Sequence, residues 1–570
     1  METKFSRIKK TMKTNLLCKI SSIICALMFA SFSSAQAATI NSTYTGPIGG
    51  NWNDPANWSP NTVPNNNGTD TFNVSVDSEY PGVTLDVDVN LNSLTLSTTT
   101  DFSAILATDH SLTSAATSLA VNFADEQFGG GAVVFEARHS NVIANLGNLA
   151  DFSGTTLNSG NYLVISDHAD PGMTATIQFN GADIRTSNGD MLLAGPSARI
   201  VDENGNDALR NFEHNLLYGI FDFETGRNFM SAGSIVNEGD VHVISEFAGA
   251  DANTTLTING DYTGIGFPLD EGTLGRALVE AAGPIGDAKM VINGALTNYN
   301  AARKTLNKTW YQWEAANGRS ATTQVLGGSR PLDIVTNNAS LNLYGPNTGL
   351  RDKFGNDALR NLAVSARFFM GDRDFTTADS FTSTSRLSIY GNSHFNVNGH
   401  LSVSGDQFQV FALTGYALLG EDGFPNDPPY KKSYITVRGS LDMRSVDRFR
   451  YGIFDNATLP SVTINGAAKL GGALVPYLLD GANVSASDRF TLMTAANMVG
   501  HFSNVVSGGR VTAFSYPDGS ELGTFLLTIN KRSIVLSDFQ PAQMIPDSHA
   551  THSGGSRTLN RGLDGNDGDF

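Results

Sequence analysis

Short runs in which apolar and polar residues alternate, usually stopped by a glycine, recur along the chain. Alternation places every second side chain on one face, which is the pattern of a half-buried strand, and the glycine favours a turn. The runs are LTING from Leu256, MVING from Met290, LNLYG from Leu341, LSIYG from Leu387, FNVNG from Phe395, ITVRG from Ile435 and VTING from Val462. No long helical pattern follows residue 38. The sequence therefore predicts an all-β protein.

One seven-residue phrase, GNDALRN, occurs twice, at 205–211 and at 355–361. The similarity extends outward, because Asp-Ile pairs at 183–184 and 333–334 stand at the same spacing. A catalytic site is normally built once, whereas a construction element is copied. We therefore interpret the phrase as part of a duplicated structural module.

Two architectures suit such strands: tandem β-sandwiches, and a solenoid whose successive coils add strands to long parallel sheets. Sandwich strands usually run longer and meet at two-residue hairpin turns. Here the strands are short and Asn-Gly pairs close the runs, where a coil would turn a corner, at 259–260, 293–294, 398–399 and 465–466. The pattern favours a right-handed parallel β-solenoid, with tandem β-sandwiches as the alternative.

The GNDALRN phrase itself predicts a tight turn followed by one turn of helix. Asn206 or Asp207 has a side chain suited to capping that turn, and Leu209 then points inward with Phe212. This interpretation accounts for every residue except Arg210. The alternative is that Asp207, Arg210 and their copies bind a ligand in each module.

The first 37 residues have the composition of a secretory signal peptide. Basic residues lead into a mostly apolar stretch at 20–32, and small residues at 35–37 form a cleavage site. We expect cleavage after Ala37 and secretion to the extracellular space or the cell surface. The apolar stretch is shorter than the roughly 20 residues that span a bilayer, so no membrane span is expected in the mature chain. Both cysteines, Cys18 and Cys25, lie in this leader, and the mature chain forms no disulfide.

The formal net charge is −18 at pH 7. Such a surface repels phosphate backbones, and the sequence has no basic patch with interleaved aromatic residues. Nucleic acid is therefore not expected as a partner. Only 16% of the residues are charged and glycine is abundant, a balance that suits short strands joined by tight turns.

Two tryptophans, Trp52 and Trp58, stand in the segment at 49–76, ahead of an alternating apolar run. The segment resembles the start of secreted bacterial β-strand-repeat proteins related to autotransporter passengers, of the kind found in Planctomycetes and Verrucomicrobia. The duplicated module is similar to the repeats of that family, which carry an aspartate-isoleucine strand, a Gly-Pro turn and a GNDAL-type element. The stretch that begins with FTLMTAANMVG at Phe490 is similar to its closing unit.

The resemblance covers about 40–540. It implies an architecture, a β-solenoid opened by the tryptophan segment, and says almost nothing about activity.

No residue pattern typical of a catalytic or cofactor site is present. The chain lacks the Gly-x-Ser-x-Gly, His-Glu-x-x-His and Gly-x-x-x-x-Gly-Lys motifs. We therefore predict no catalytic residue, no cofactor and no enzymatic activity. Carboxylates are plentiful, however, and a solenoid could bring them together from adjacent coils. Asp86 and Asp88 alternate with apolar residues and are expected to share the solvent-facing side of a strand.

Two weak candidate binding sites remain. Asp564, Asn566, Asp567 and Asp569 have oxygen ligands at spacings that calcium loops use, but the closing glutamate of such a loop is missing. Trp310 and Trp313 are large aromatic rings that could stack on sugars. Because Tyr311 occupies the position of Tyr162 in the other module, we expect Tyr311 in the core and one of the two tryptophans at the surface.

These observations predict a secreted, noncatalytic structural or adhesive protein of the cell surface or extracellular matrix. Its partners would be extracellular polysaccharide or cell-surface components. The alternatives are a polysaccharide-acting β-helix enzyme, either a lyase or a glycoside hydrolase, and a glycan-binding module. The expected segments are the signal peptide 1–37, the tryptophan segment and first coils 38–148, module one 149–290, module two 296–440, the closing coils 441–540 and a disordered polar tail 541–570.

Overall fold

The computed structural model describes an all-β chain, as predicted. Within the described part the chain forms strands β1 to β45 and one 3₁₀ helix, Pro55–Asn57. Asp54 caps this helix by accepting a hydrogen bond from the Ala56 amide at 2.9 Å. None of the described helical residues belongs to a helix long and apolar enough to cross a membrane. The described residues are 38–66, 68–77, 82–97, 103–120, 131–166, 172–245, 253–266, 275–283, 286–412, 430–516 and 518–542.

The N-terminal strands include several of only two residues, because turns interrupt the backbone at close intervals. They are β1 (Ala38–Tyr44), β2 (Gly50–Asn51), β3 (Trp58–Ser59), β4 (Asp70–Val76), β5 (Val83–Leu85), β6 (Val89–Ser97), β7 (Ser103–Thr108), β8 (Leu112–Ala120), β9 (Gly131–Ala137), β10 (Val142–Asn145), β11 (Asn148–Leu149), β12 (Phe152–Ser153), β13 (Thr156–Leu157), β14 (Asn161–Ser166) and β15 (Ala175–Gln178).

The middle strands follow the same pattern and include the predicted runs LTING and MVING. They are β16 (Thr186–Ser187), β17 (Asp190–Ala194), β18 (Ala198–Val201), β19 (His214–Asn215), β20 (Ile220–Glu224), β21 (Phe229–Ser231), β22 (Ile235–Asn237), β23 (Asp240–Ile244), β24 (Thr254–Ile258), β25 (Tyr262–Gly264), β26 (Arg276–Ala281), β27 (Ala288–Ile292), β28 (Tyr299–Asn300), β29 (Thr305–Ala315) and β30 (Ala321–Val325).

Many of the C-terminal strands are longer. They are β31 (Thr336–Tyr344), β32 (Thr348–Arg351), β33 (Val364–Gly371), β34 (Asp374–Thr376), β35 (Phe381–Ile389), β36 (His394–Val397), β37 (Leu401–Val410), β38 (Tyr434–Val437), β39 (Leu441–Ile453), β40 (Ser461–Leu470), β41 (Ala473–Leu478), β42 (Arg489–Gly500), β43 (Arg510–Ser515), β44 (Glu521–Ile529) and β45 (Ser533–Pro541).

Most strands pair in parallel with a strand that follows a short distance along the chain. The first sheet runs β1, β4, β6, β8, β10, β15 and β18. The second sheet is the longest, with β2, β5, β7, β9, β14, β17, β20, β23, β26, β29, β31, β33, β35, β37, β39, β41 and β43 in parallel order. Intervening strands form two further sheets.

The third sheet contains β13, β16, β19, β22 and β25, and the fourth contains β21, β24, β27, β30 and β32. Another parallel run, β34, β36, β38, β40 and β42, follows toward the C-terminus. From β29 onward, long strands carry a register shift, as between Asn337 and Ser340 of β31. The shift bends one strand where earlier parts of the chain use two short ones.

A single main core lies between the sheets, filled by every second strand residue. At its N-terminal end the two tryptophans of the 49–76 segment are fully buried with their rings 4.6 Å apart. Trp52 Nε1 donates to the Pro64 carbonyl at 2.9 Å and Trp58 Nε1 to the Trp52 carbonyl at 2.8 Å. Both indole N–H groups therefore have a hydrogen-bond acceptor although they are buried in the apolar N-terminal end of the core.

Antiparallel pairing occurs at both ends. β3 pairs antiparallel with β1, and β45 pairs antiparallel with β42 and β44. Such pairing reverses the strand direction at the end of a parallel sheet. It covers an edge whose unpaired backbone groups could otherwise pair with another chain.

Glycines stack on one another where the chain turns between sheets. The Gly260 amide donates to the Gly233 carbonyl, Gly294 to Gly260, and Gly327 to Gly294. A Cβ on Gly294 would lie 2.4 Å from the Gly260 carbonyl oxygen, and one on Gly327 would lie 2.3 Å from the Gly294 carbonyl carbon. The Asn-Gly pairs at 259–260 and 293–294 thus form a corner that needs glycine because neighbouring backbones touch there.

Two element predictions differ from the structure. The VTING run does not end at its glycine, since β40 continues through Gly466 and absorbs it as a register shift between Ile464 and Ala467. Asp86 and Asp88 do not share a strand either. They lie in the turn between β5 and β6, where Asp86 accepts the Asn53 amide and Asp88 that of Ser111, each at 2.8 Å.

Candidate functional site

Charged side chains lie on the outer face of the second sheet, on the neighbouring strands β17, β20, β23 and β26. Along each strand, alternate residues enter the core and project from the opposite face. On β23, Val241 and Val243 are in the core, so Asp240 and His242 lie on the outer face. The alternating pattern of the sequence thus gathers polar side chains on one surface.

Five of these side chains form the charged cluster, which we define as Asp190, Asp222, Asp240, His242 and Arg276. The His242 ring lies between two carboxylates, with Nδ1 3.4 Å from Asp222 Oδ2 and Nε2 3.6 Å from Asp240 Oδ2. Arg276 Nη2 donates a hydrogen bond to Asp240 Oδ2 at 3.1 Å. Parallel register accounts for the contact, because Asp222 and His242 are direct partners on adjacent strands.

The two carboxylates keep His242 charged. Burial disfavours a charged imidazole, but the hydrogen bonds and charges of Asp222 and Asp240 outweigh burial and raise the pKa of His242 to about 9. Burial also opposes ionisation of Asp240, yet His242 and Arg276 hold the pKa of this carboxyl below its usual value. Arg276 Nη2, 3.0 Å from His242 Nε2, opposes this charge, but the two carboxylates outweigh it. At neutral pH, His242 is therefore a paired cation rather than a general base.

Asp190 has a pKa that is shifted in the opposite direction to that of Asp240. Burial raises its pKa to about 6, against the opposing effect of the Ile220 amide, which donates to Oδ1 at 3.0 Å. A carboxyl that is partly protonated near neutral pH has the property required of a general acid. Asp222 Oδ1 is also buried, and it has no hydrogen-bond partner among the described residues.

The structure separates the two tryptophans considered for sugar stacking. Trp313 is fully buried, stacks on Tyr311 with ring centroids 5.6 Å apart, and donates from Nε1 to Thr323 Oγ1 at 3.0 Å. Trp313 is therefore a core residue and is withdrawn as a sugar-binding candidate, because no surface of its ring is open. Tyr311 is buried as predicted. Trp310 is on the outer face, half-buried, with the Arg276 guanidinium 5.6 Å from its ring centre.

The two GNDALRN phrases make the same local hydrogen bonds. Asp207 Oδ1 accepts from the Leu209 amide and Asp357 Oδ1 from the Leu359 amide, each at 2.9 Å. Leu209 and Leu359 are fully buried, as predicted. The backbone forms successive tight turns instead of the predicted helical turn, because Arg210 and Phe212 amides bond to carbonyls only three residues back.

The arginine of the phrase also has the same role in both copies. Arg210 Nη1 donates to the Ala182 carbonyl at 3.0 Å, and Arg360 Nη1 donates to the Leu332 carbonyl at 3.3 Å. Each arginine thereby ties its turn to an earlier segment of the chain. Within the described residues these contacts explain the copied arginine structurally, which the sequence could not do.

The remaining candidates concern metals. Asp564, Asn566, Asp567 and Asp569 lie outside the described residues. Among the described residues, no group of three or more His, Asp and Glu side chains is arranged to hold a metal ion.

Sequence reasoning missed the charged cluster. The strands showed part of the signal, namely the aspartate that opens DMLLA and the polar residues two positions apart in IFDFE and DVHVI. What the sequence did not show is which polar positions become neighbours, because the segments between these strands differ in length and register follows from the folded chain. Comparison with family models, curated proteins and solved structures found no match for this chain.

Proposed function

We propose that this chain is a secreted, noncatalytic structural or adhesive protein of the cell surface or extracellular matrix. The proposed architecture is a right-handed parallel β-solenoid, with the parallel sheets as its faces. Long parallel sheets whose strands follow one another at short intervals support this architecture, because each repeat then contacts mainly its neighbours. The leader at 1–37 lies outside the described residues, and its composition supports export.

One observation carries the proposal: the polar side chains of the duplicated phrase hydrogen-bond to the chain itself in both copies. The aspartates bond to their own turn and the arginines to the carbonyl of an earlier segment, in both copies. Side chains that hydrogen-bond to their own chain have a structural role. A protein built from repeats of such elements can be long and can expose a large surface for structural or adhesive contacts.

Two measurements on the purified protein test this proposal. Small-angle scattering should give an elongated particle, and incubation with acidic and neutral polysaccharides should give no cleavage products. A compact particle would contradict the solenoid, while turnover that disappears with a single carboxylate substitution would contradict the noncatalytic role.

The second candidate function is cleavage of extracellular polysaccharide at the charged cluster. The pKa of about 6 at Asp190, together with the unpartnered Asp222 Oδ1, favours it. Asp190→Asn and Asp222→Asn should each abolish turnover if this candidate is correct. Asp88→Asn, in a distant turn, is the matched control and should leave turnover unchanged.

A further inference from the structure

A single register row crosses the outer face of the second sheet from β26 to β39. We name it the arginine row, and its members are Arg276, Trp310, Ser340, Arg367, Arg386, Gln407 and Arg448, each the parallel partner of the next. The row holds four arginines and no acidic residue, although acidic residues outnumber basic ones in the chain by 55 to 37. Its charge is thus opposite to that of the molecule.

The row is long and partly open. Parallel strands lie about 4.8 Å apart, so the six steps from Arg276 to Arg448 span about 29 Å. Arg448 is exposed, and Arg276, Trp310 and Arg367 are half-buried. Arg276 pairs with Asp240 at 3.1 Å and the buried Arg386 pairs with Asp406 at 3.0 Å, so these two arginines contribute charge rather than contact. Arg448 forms no ion pair with a described carboxylate.

Buried nitrogen donors without a hydrogen-bond partner among the described residues lie in the row and beside it. They include Arg276 Nε, Trp310 Nε1 and Gln407 Nε2 in the row and Arg450 Nε beside it. Arg450 stands two residues after Arg448 on β39 and its exposed fraction is 9%. These nitrogens can only donate. Because buried donors are normally satisfied, their shared lack of an acceptor indicates a ligand rich in oxygen acceptors.

We propose that the arginine row binds an acidic polysaccharide, with the sugar chain laid across the strands. Its carboxylate or sulfate groups meet Arg367 and Arg448, and its ring and hydroxyl oxygens accept from the Trp310 indole. A sugar unit is about as long as the spacing between neighbouring strands, so successive sugar units lie over successive strands of the row. The inference rests on the proposed noncatalytic function, for which it names the ligand class.

The geometry favours a polysaccharide over a nucleic acid. A row one residue wide fits a single narrow chain, whereas a duplex would bring its phosphates against the acidic remainder of the surface. A neutral polysaccharide would supply no anionic group to the exposed Arg448, which forms no ion pair with a described carboxylate. The arginines of the row thus supply the charge that an acidic polysaccharide would meet.

The test measures binding of the purified protein to immobilised polygalacturonate, with pullulan as the neutral glycan and duplex DNA as the non-glycan polyanion. We expect retention on polygalacturonate that weakens as salt is raised, and none on pullulan. Arg448→Ala should weaken binding about tenfold, the effect of losing one hydrogen bond to a charged group. Trp310→Phe keeps the ring but removes the N–H and should also weaken binding.

Arg438→Ala is the matched control, because Arg438 is equally exposed but lies after β38, outside the second sheet. It should bind as the unmodified protein does, and both exposed substitutions should leave the far-UV spectrum unchanged. Absence of retention, equal loss in both arginine variants, or equal retention on DNA would overturn the inference. None of these results touches the proposed function, which only cleavage of the glycan or a compact particle would overturn.

Discussion

At the scale of single residues, His242 links acidity to stability. Its pKa is about 9 in the folded chain against 6.5 for an ordinary histidine. A raised folded pKa means that the stabilisation is complete below pH 6.5 and is lost as the pH rises through about 9. We expect urea unfolding to show a declining free energy over that window. His242→Gln should abolish this part of the decline, and an unchanged pH profile in the variant would contradict the assignment.

For Asp190, substitution should change stability with the opposite pH dependence. Its folded pKa of about 6 exceeds the ordinary 3.8, so ionising it destabilises the folded chain as the pH rises through this range. Asp190→Asn removes the charge and can still accept the Ile220 amide. The variant should therefore be more stable than the unmodified protein above pH 6, by up to about 3 kcal/mol. The advantage should vanish below pH 3.8, and a constant difference at all pH values would count against burial as the cause.

Some residue roles could be read from the sequence and others could not. Leu209 and Tyr311 were predicted in the core because pattern and repeat position define an inward face. Arg210 could not be explained, since its acceptor is a carbonyl 28 residues earlier. Contacts at such distance follow from the stacking of the chain and leave no local pattern.

At the scale of elements, the glycine corners carry a direct prediction. A Cβ at Gly294 would lie 2.4 Å from the Gly260 carbonyl oxygen, so Gly294→Ala forces neighbouring backbones apart. Overpacking of this kind costs about 1–3 kcal/mol. Gly233 is the matched control, since a Cβ there meets nothing within 4 Å in the same glycine column. Thermal unfolding should show a loss for Gly294→Ala only, and equal losses would contradict the role of close backbone contact.

Element boundaries were predicted where a glycine ends a run and missed where the backbone bends without ending. The runs at Leu256 and Met290 become β24 and β27, followed by turns. The run at Val462 continues because β40 turns its Asn-Gly pair into a register shift. The alternating stretch at 83–97 is divided between the second and first sheets at Asp86 and Asp88, whose carboxylates accept amides from other parts of the chain. Alternation alone does not reveal a change of sheet.

At the scale of the whole molecule, alternation and the absence of helical periodicity were sufficient to predict an all-β chain. The arrangement of its surface was not predictable. The charged cluster and the arginine row both depend on register across many strands, and residues that become neighbours, such as Gln407 and Arg448, lie far apart in the sequence. Register is set by burial of the inward face, so the chemistry of the outer face follows from the packing of the inner one.

The duplicated module gives the last prediction, which concerns how far a local change spreads. Leu209 and Leu359 are fully buried in equivalent turns, so Leu209→Ala and Leu359→Ala should each cost about 2–5 kcal/mol. Because parallel strands contact mainly their sheet neighbours, each substitution should loosen its own module. Hydrogen exchange should then show lost protection near the mutated turn and retained protection near the other copy. Arg210→Ala is the control and should lose less, since its guanidinium is partly exposed. Equal loss of protection around both leucines in either variant would mean that the two modules unfold as one unit.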